Sequence, residues 1–479
     1  MRKLLCSVSL PAFLVVQAMA QSPASLEVKA FLKVDAPVVA LLNVRVIDGT
    51  GSVPRDDQTV VLRNGKIEAI GPSVSTAVPE GAERLELSGH SVLPGLVGMH
   101  NHLYYPAPGS GSPRTYPPHV FSFPRLYLAG GVTTIRTTGS VETYTDLETK
   151  KLIDAGKMPG PKMHITGPYL EGVGSFTPQM HELTGPEDAR RTVEFWAAQG
   201  ATSFKAYEHI TRAELGAAIE AAHQRGLKVT GHLCAVGFRE AAALGIDDLE
   251  HGLAVDTEFL PDKKPDVCPA QRRANIELVG KLDLASPSVA EMIRELVARK
   301  VAITSTLPVF ETLVPNRPPL QQRVLDAMTP EARVSYLATR ARIAEEANSP
   351  WPAAFKKELE FERAFAAAGG LLVSGLDPTG YGGVVAGFGD QRGVELLVEA
   401  GFTPLEAIRI ATRNGAELLG ELGRIGTLEA GKQADIVVVK GDPTKNIADI
   451  EKVEIVFKDG VGYDPAKLIE SVKGSVGTR

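Results

Sequence analysis

His100 and His102 stand two residues apart in "LPGLVGMHNHLYYP", at the end of an apolar stretch. On a strand, side chains two apart share a face, so both imidazoles can converge on one metal ion. Four further residues that could ligate a cation recur at the ends of later apolar stretches. They are Lys205 in "SFKAYE", His232 in "KVTGHL", His251 in "DDLEHGL" and Asp377 in "LLVSGLDPTG". Taken singly, each has a plain structural explanation: a solvated strand end, a satisfied core histidine or a helix cap. Together they are the ligand types of a shared divalent-metal site, provided the elements carrying them converge.

The elements that must position them alternate. Eight apolar segments read as strands: Leu96–His102, Gly131–Thr138, Lys162–Leu170, Thr202–Tyr207, Lys228–Leu233, Asp248–Leu253, Val301–Pro308 and Gly370–Asp377. Amphipathic helical stretches lie between them, the signature of a parallel α/β fold. Capping-box spacing marks helix starts at Thr184 with Glu187, Thr211 with Glu214 and Thr403 with Glu406. Gly200 and Gly226 mark helix ends. The fold class predicted is α/β, a (β/α)8 TIM barrel over residues 92–422. In that fold, residues closing separate strands face one site at the C-terminal mouth. Residues 21–91 and 423–479 are β-rich, with Asn64-Gly65 as a hairpin turn. They are expected to form one small β-sandwich from both ends of the chain.

Composition narrows the class. The 479 residues carry a formal net charge of −6 and no long basic block, which argues against a nucleic-acid partner. Arg2 and Lys3, an apolar run and Ala18-Met19-Ala20 form a secretory signal over residues 1–20, too short to span a bilayer. Cleavage near Ala20 is expected to deliver a secreted or periplasmic protein of net charge −8. Cys6 precedes the apolar core of the signal, which argues against a lipid anchor. Cys234 and Cys268 are not spaced as a zinc pair and read as free thiols. The expected partner is a small-molecule substrate, with no nucleic acid and no membrane span; assembly into a homo-oligomer stays open.

"PGLVGMHNH" and "GTLEAGKQADIVVV" resemble the first-strand metal motif and the C-terminal signature of the amidohydrolase superfamily. The resemblance extends over nearly the whole mature chain. It is nearest to the branch of prolidase-like, Xaa-amino-acid dipeptidase, imidazolonepropionase and ochratoxin-hydrolysing enzymes. That likeness implies two divalent metal ions, with zinc the first expectation and manganese, cobalt or nickel compatible with the ligand types. It assigns His100 and His102 to the inner metal and His232 and His251 to the outer one, with Lys205 bridging them as an N-carboxylated lysine. Asp377 would be both a ligand and the catalytic proton acceptor. The implied reaction is hydrolysis of an amide or peptide-like C–N bond, in a dipeptide or N-acyl amino acid, by metal-activated hydroxide. Two other readings stay in view on the same superfamily fold: a mononuclear deaminase, and a cyclic amide or lactone hydrolase. A third is a non-catalytic metal-binding scaffold. The sequence departs from the branch after the second strand, where Arg136-Thr137-Thr138 replaces the usual Arg-Asp pair.

The substrate residues are sought in the loops. Tyr104, Tyr105 and Arg114 lie in the Tyr- and Pro-rich loop after His102. His181 lies in the third strand-to-helix loop, and Tyr207 follows Lys205 on the same strand face. His90, His119, His164, His209 and His223 fall in no motif. The glycines of "GYGGVVAGFGDQ" do not open with Gly-Lys-Ser and so do not read as a phosphate loop.

Overall fold

The computed structural model describes residues 24–109 and 114–477. The signal segment predicted over residues 1–20 lies outside the described residues. Each of the eight predicted strand segments contains a parallel strand. Leu96–Gly98, Val132–Arg136 and Lys162–His164 form one sheet. Thr166–Leu170, Ser203–Ala206, Lys228–Gly231, Asp248–Glu250, Ala302–Ser305 and Leu372–Ser374 form a second, in that order. Nearly every residue in these strands is buried, as expected for a parallel sheet with helices packed against it.

Hydrogen bonds connect the two sheets on both sides. On one side Ser140 N donates to Gly167 O at 3.1 Å and Thr166 N to Thr137 Oγ1 at 3.0 Å. On the other side Met99 N donates to Ser374 O at 2.8 Å and Asp377 N to His100 O at 3.0 Å. The architecture is a TIM-barrel-like α/β fold. Its strands are shorter than predicted, and the third segment is broken at Ile165. The prediction extended the strands through His102, Tyr207, Leu233, Leu253 and Asp377. In the structure the chain leaves the ladder earlier, so the ligand candidates other than Lys205 sit on turns beyond the strand ends.

A nine-stranded sheet unites the two ends of the chain. His90–Pro94 pairs antiparallel with Ile436–Lys440, joining the N-terminal and C-terminal strands. Asn64 and Gly65 turn the hairpin between Arg55–Arg63 and Lys66–Pro72 with φ of 49° and 80°, the left-handed pair such a turn requires. Gly95 then carries the chain from the terminal sheet into Leu96–Gly98. A Cβ there would lie 2.0 Å from Thr133 Oγ1, so only glycine passes.

The helix starts at Thr211 and Thr403 carry the expected capping boxes. Thr184 does not. The helix Pro186–Gln199 begins two residues later, with Gly185 as its cap, and Thr184 instead donates its backbone N–H to Asp188 at 3.1 Å. Pro186 accounts for the shift, because its fixed φ and missing N–H suit the first helical position. The thiol expectation is also corrected. Cys234 and Cys268 form a disulfide, with Cα atoms 4.9 Å apart. The fold brings together two loops 34 residues apart, to a separation typical of disulfides, and spacing along the chain carries no trace of that approach.

Helix Trp351–Ala367 buries Glu362, and burial pushes its carboxyl up to about 8, against the smaller opposing effect of the Ser305 hydroxyl. A raised value means the folded state favours the protonated form. This contribution to stability is complete below the ordinary value near 4.5 and is lost as pH rises through about 8. Glu362→Gln is expected to flatten that decline in urea titrations run between about pH 5 and 9. An unchanged decline in the variant would assign it to other groups.

Candidate metal centre

His100, His251 and Asp377 present ligand atoms that all lie within 4.8 Å of one another, and all three residues are buried. Asp377 Oδ2 is 3.7 Å from His100 Nε2 and 3.9 Å from His251 Nε2, while its Oδ1 is 3.6 Å from His102 Nε2. Lys205 Nζ lies 3.1 Å from His100 Nε2. Three of these atoms, His102 Nε2, His251 Nε2 and Asp377 Oδ1, are buried with no hydrogen-bond partner. Leaving a buried polar atom unsatisfied costs about 1–3 kcal/mol, so a cluster of three calls for a ligand.

The other nitrogens of the three imidazoles are held. His100 Nδ1 pairs with Glu250 Oε2 at 2.6 Å, His102 Nδ1 with Gly139 O at 3.2 Å and His251 Nδ1 with Thr306 Oγ1 at 2.7 Å. Fixing Nδ1 turns Nε2 toward the common centre, which is how metal-binding histidines are oriented. The backbone is equally constrained. His251 and Asp377 have φ of 72° and 50°, left-handed values uncommon outside glycine. Gly375 is required beside them, since a Cβ there would lie 2.3 Å from His100 Cβ. This donor set suits a divalent cation of the zinc type.

Lys205 is 1% exposed, and burial pushes its ammonium pKa down to about 8 despite the nearby Glu250 and Asp377 charges. A neutral amine is therefore accessible near neutral pH. His232 adjoins His251, with ring centroids 4.4 Å apart, but its Nε2 faces Glu208 Oε1 at 3.3 Å. Burial pushes the Glu208 carboxyl up; the His232 hydrogen bond and the His232 and Arg272 charges outweigh it and hold the group at about 2.

A buried ion network lies beneath the histidines. Arg136 Nη2 donates to Asp248 Oδ2 at 2.7 Å and to Glu250 Oε1 at 2.8 Å, and its Nε donates to Met99 O at 2.8 Å. Thr230 and Thr304 add hydroxyl donors to the two carboxylates. Sequence reasoning singled out His251 in "DDLEHGL" and passed over its neighbours. The available signal was Asp248 and Glu250 at period two on an apolar strand, which places two carboxylates on one buried face.

Residues 383–462 match the Amidohydrolase family. A dihydroorotase of Trichlorobacter lovleyi is 36% identical over 91 residues, 19% of this chain and 19% of that protein. The chain thus spans about a fifth of the length of the curated relative it matches. Among solved structures, a Xaa-Pro dipeptidase with methionine bound in its active site superposes with a TM-score of 0.67 at 20% identity, covering 89% of this chain and 100% of that one. The Aspergillus niger ochratoxinase gives a TM-score of 0.64 at 18% identity, covering 92% and 100%. Over residues 383–462 the chain is thus similar to the Amidohydrolase family, and the solved structures share its fold.

A cavity of about 690 Å³ opens onto the centre, and His232, His251, Asp377 and Tyr207 are among its lining residues. The predicted substrate residues divide around it. Tyr207 and Arg114 line it. Tyr104 lines an adjoining recess with Tyr169, Lys205 and Tyr207, stacks on His102 at 4.4 Å and hydrogen-bonds the Tyr169 hydroxyl. Tyr105 is instead packed in the main core, where its hydroxyl accepts from Gly383 N at 2.8 Å. His181 is exposed and paired with Asp188 at 3.0 Å, away from the cavity lining. Tyr104 and Tyr105 are consecutive in an extended segment bridged to Pro117 and Pro118, so their side chains leave the backbone on opposite sides. No helix among the described residues is long and apolar enough to cross a membrane.

Proposed function

We propose that this chain is an exported, binuclear metal-dependent amidohydrolase that cleaves an amide or peptide-like C–N bond in a dipeptide or N-acyl amino acid. The observation carrying this reading is the convergence of buried, unpartnered His102 Nε2, His251 Nε2 and Asp377 Oδ1 at the cavity floor. His100, His102 and Asp377 would hold one cation and His232 and His251 the other, with carboxylated Lys205 contacting both. Bound there, such cations supply Lewis acidity to the substrate carbonyl and make water a usable nucleophile near neutral pH.

The remaining steps fall to side chains of the chain. Lys205, with its pKa near 8, can exist as the neutral amine that adds to carbon dioxide; the new N–C bond releases one proton and leaves a carbamate with two ligand oxygens. Glu250 fixes the His100 ring, and Asp377 takes a proton at Oδ1 and returns it to the departing nitrogen. Burial pushes the Tyr207 phenol well up, so it stays protonated and can donate to a substrate oxygen. The methionine bound in the Xaa-Pro dipeptidase of the same fold supports an amino-acid-like ligand for this cavity. Within the same reading, residues 92–422 are a closed (β/α)8 barrel, supported by the hydrogen bonds between its first and eighth strands, and the terminal sheet is the β-sandwich. Export after cleavage near Ala20 draws support from the disulfide, since such bonds persist in oxidising compartments.

A one-metal reading draws on a specific observation: the tight triad is His100, His251 and Asp377, while His232 Nε2 faces Glu208. Elemental analysis separates the two. Protein loaded with excess zinc and bicarbonate is expected to hold about two equivalents, falling toward about one in Lys205→Ala, with turnover partly restored by a short carboxylic acid. A single equivalent in the unsubstituted protein, unmoved by added metal and bicarbonate, would establish the mononuclear centre.

A further inference from the structure

The wall of the cavity outside the metal centre carries unbalanced charge. Four arginines line it: Arg114, Arg272, Arg273 and Arg342. Arg273 is engaged by Glu346 at 2.9 Å and Glu277 at 3.0 Å, and Arg114 donates to the Gly380 carbonyl. The lining carboxylates are likewise committed: Glu346 to Arg273, Glu208 to His232 with the Arg272 charge acting on it from further off, and Asp377 to the metal centre. Arg272 and Arg342 remain. Among the described residues neither guanidinium makes a direct hydrogen bond or ion pair, although both arginines line the cavity.

The backbone leading to Arg272 is a stitched loop. The disulfide joins Cys234, two residues past His232, to Cys268, four residues before Arg272. Thr257 Oγ1 donates to Cys234 O at 2.7 Å and Lys263 Nζ to Ala235 O at 2.6 Å, fastening the intervening segment to the turn that carries His232.

The apolar part of the wall starts at the centre itself. Phe310 lies edge-on to His251 at 5.6 Å and stacks with Trp351 at 5.8 Å and 20°. Ile276, Leu313 and Ile343 extend that surface. A substrate whose reacting carbonyl sits at the histidines can therefore lay a large apolar group on Phe310 and Trp351. Its remaining end would meet the two unpaired guanidiniums, whose planar donors match a carboxylate.

We infer that Arg272 and Arg342 are specificity-determining residues that hold a free carboxylate of the substrate, beside a Phe310–Trp351 wall that takes a large apolar or aromatic side chain. The preferred substrates would then be N-acyl derivatives of such amino acids with the carboxyl group free. This rests on reading the cavity as the hydrolytic site, so its test is a binding measurement that needs no turnover.

Zinc-loaded full-length protein is titrated calorimetrically with 3-phenylpropanoate and with 3-phenylpropanol, which share the ring and chain and lack a scissile bond. The unsubstituted protein is expected to bind the carboxylate more tightly than the alcohol. Arg272→Met and Arg342→Met should each weaken carboxylate binding by about 10–100-fold and leave alcohol binding unchanged, as loss of a charge-assisted hydrogen bond requires. Phe310→Ala should weaken both ligands. Equal affinities for the two ligands, or carboxylate binding unaffected by both arginine substitutions, would overturn the inference and place any carboxylate on the metal ions instead. A protein that shows the arginine-dependent preference yet hydrolyses no N-acyl amino acid would keep this inference and lose the hydrolytic reading. Both arginines are exposed, so neither substitution threatens the fold.

Discussion

Asp377→Asn is expected to lower turnover by about 10²–10⁴-fold, the usual contribution of a positioned general acid–base group, with little change in bound metal. The geometry favours this separation. The Asp377 backbone N–H is tied to the His100 carbonyl at 3.0 Å, and Thr379 N donates to the Asp377 carbonyl at 2.7 Å, so the main chain holds the side chain in place whatever its charge. Asparagine keeps the size and one oxygen within reach of the imidazoles. It cannot accept a proton at neutral pH, so the proton relay to the departing nitrogen is lost. Metal content by elemental analysis and kcat on the best N-acyl amino acid substrate are the paired readouts. Metal lost in proportion to activity would make Asp377 chiefly a ligand. Full activity would remove it from the reaction altogether.

The ligand candidates were legible because they are chemically unusual where they stand. Histidine, lysine and aspartate closing apolar stretches are rare enough to be read together, and five of the six meet around one centre in the structure. The alignment of His100 and His102 has another origin. Period two on a strand predicts it, but the strand ends at Gly98, and it is Glu250 and the Gly139 carbonyl that aim the two rings. His232 shows the limit of the same logic: its position was anticipated, but not the Glu208 carboxylate that its Nε2 faces. Long-range pairings were the least accessible. The Cys234–Cys268 bond and the placement of Arg272 depend on how two loops fold over the mouth, and neither has a local periodicity to betray it. The Arg136 network was half visible. Its departure from the usual Arg-Asp pattern stands in the sequence, but the carboxylates it meets lie 112 and 114 residues further along the chain.

That network sets the second large effect. Arg136→Met is expected to destabilise the protein by about 3–5 kcal/mol, because it leaves Asp248 and Glu250 buried without their cation. Burial works against the guanidinium charge, and the Glu250 and Asp248 carboxylates outweigh it and keep Arg136 protonated. Asp248 already pays for its position: burial, then the Glu250 charge, push its carboxyl up to about 6 even with Arg136 opposing them. A raised folded-state value is a contribution complete below the ordinary 3.8 and lost as pH rises through about 6. Removing Arg136 raises that value further, so the loss of stability should be larger at about pH 8 than at about pH 5. Urea unfolding of the metal-free variant at both pH values measures it. If Arg136→Met does not fold, the combination with Asp248→Asn and Glu250→Gln neutralises both stranded carboxylates, and it should recover part of the loss, a non-additivity expected of groups in one network. A single variant within about 1 kcal/mol of the parent at pH 8 would mean that the guanidinium is not what offsets the burial of the two carboxylates. The electrostatic support of the metal centre would then have to come from elsewhere.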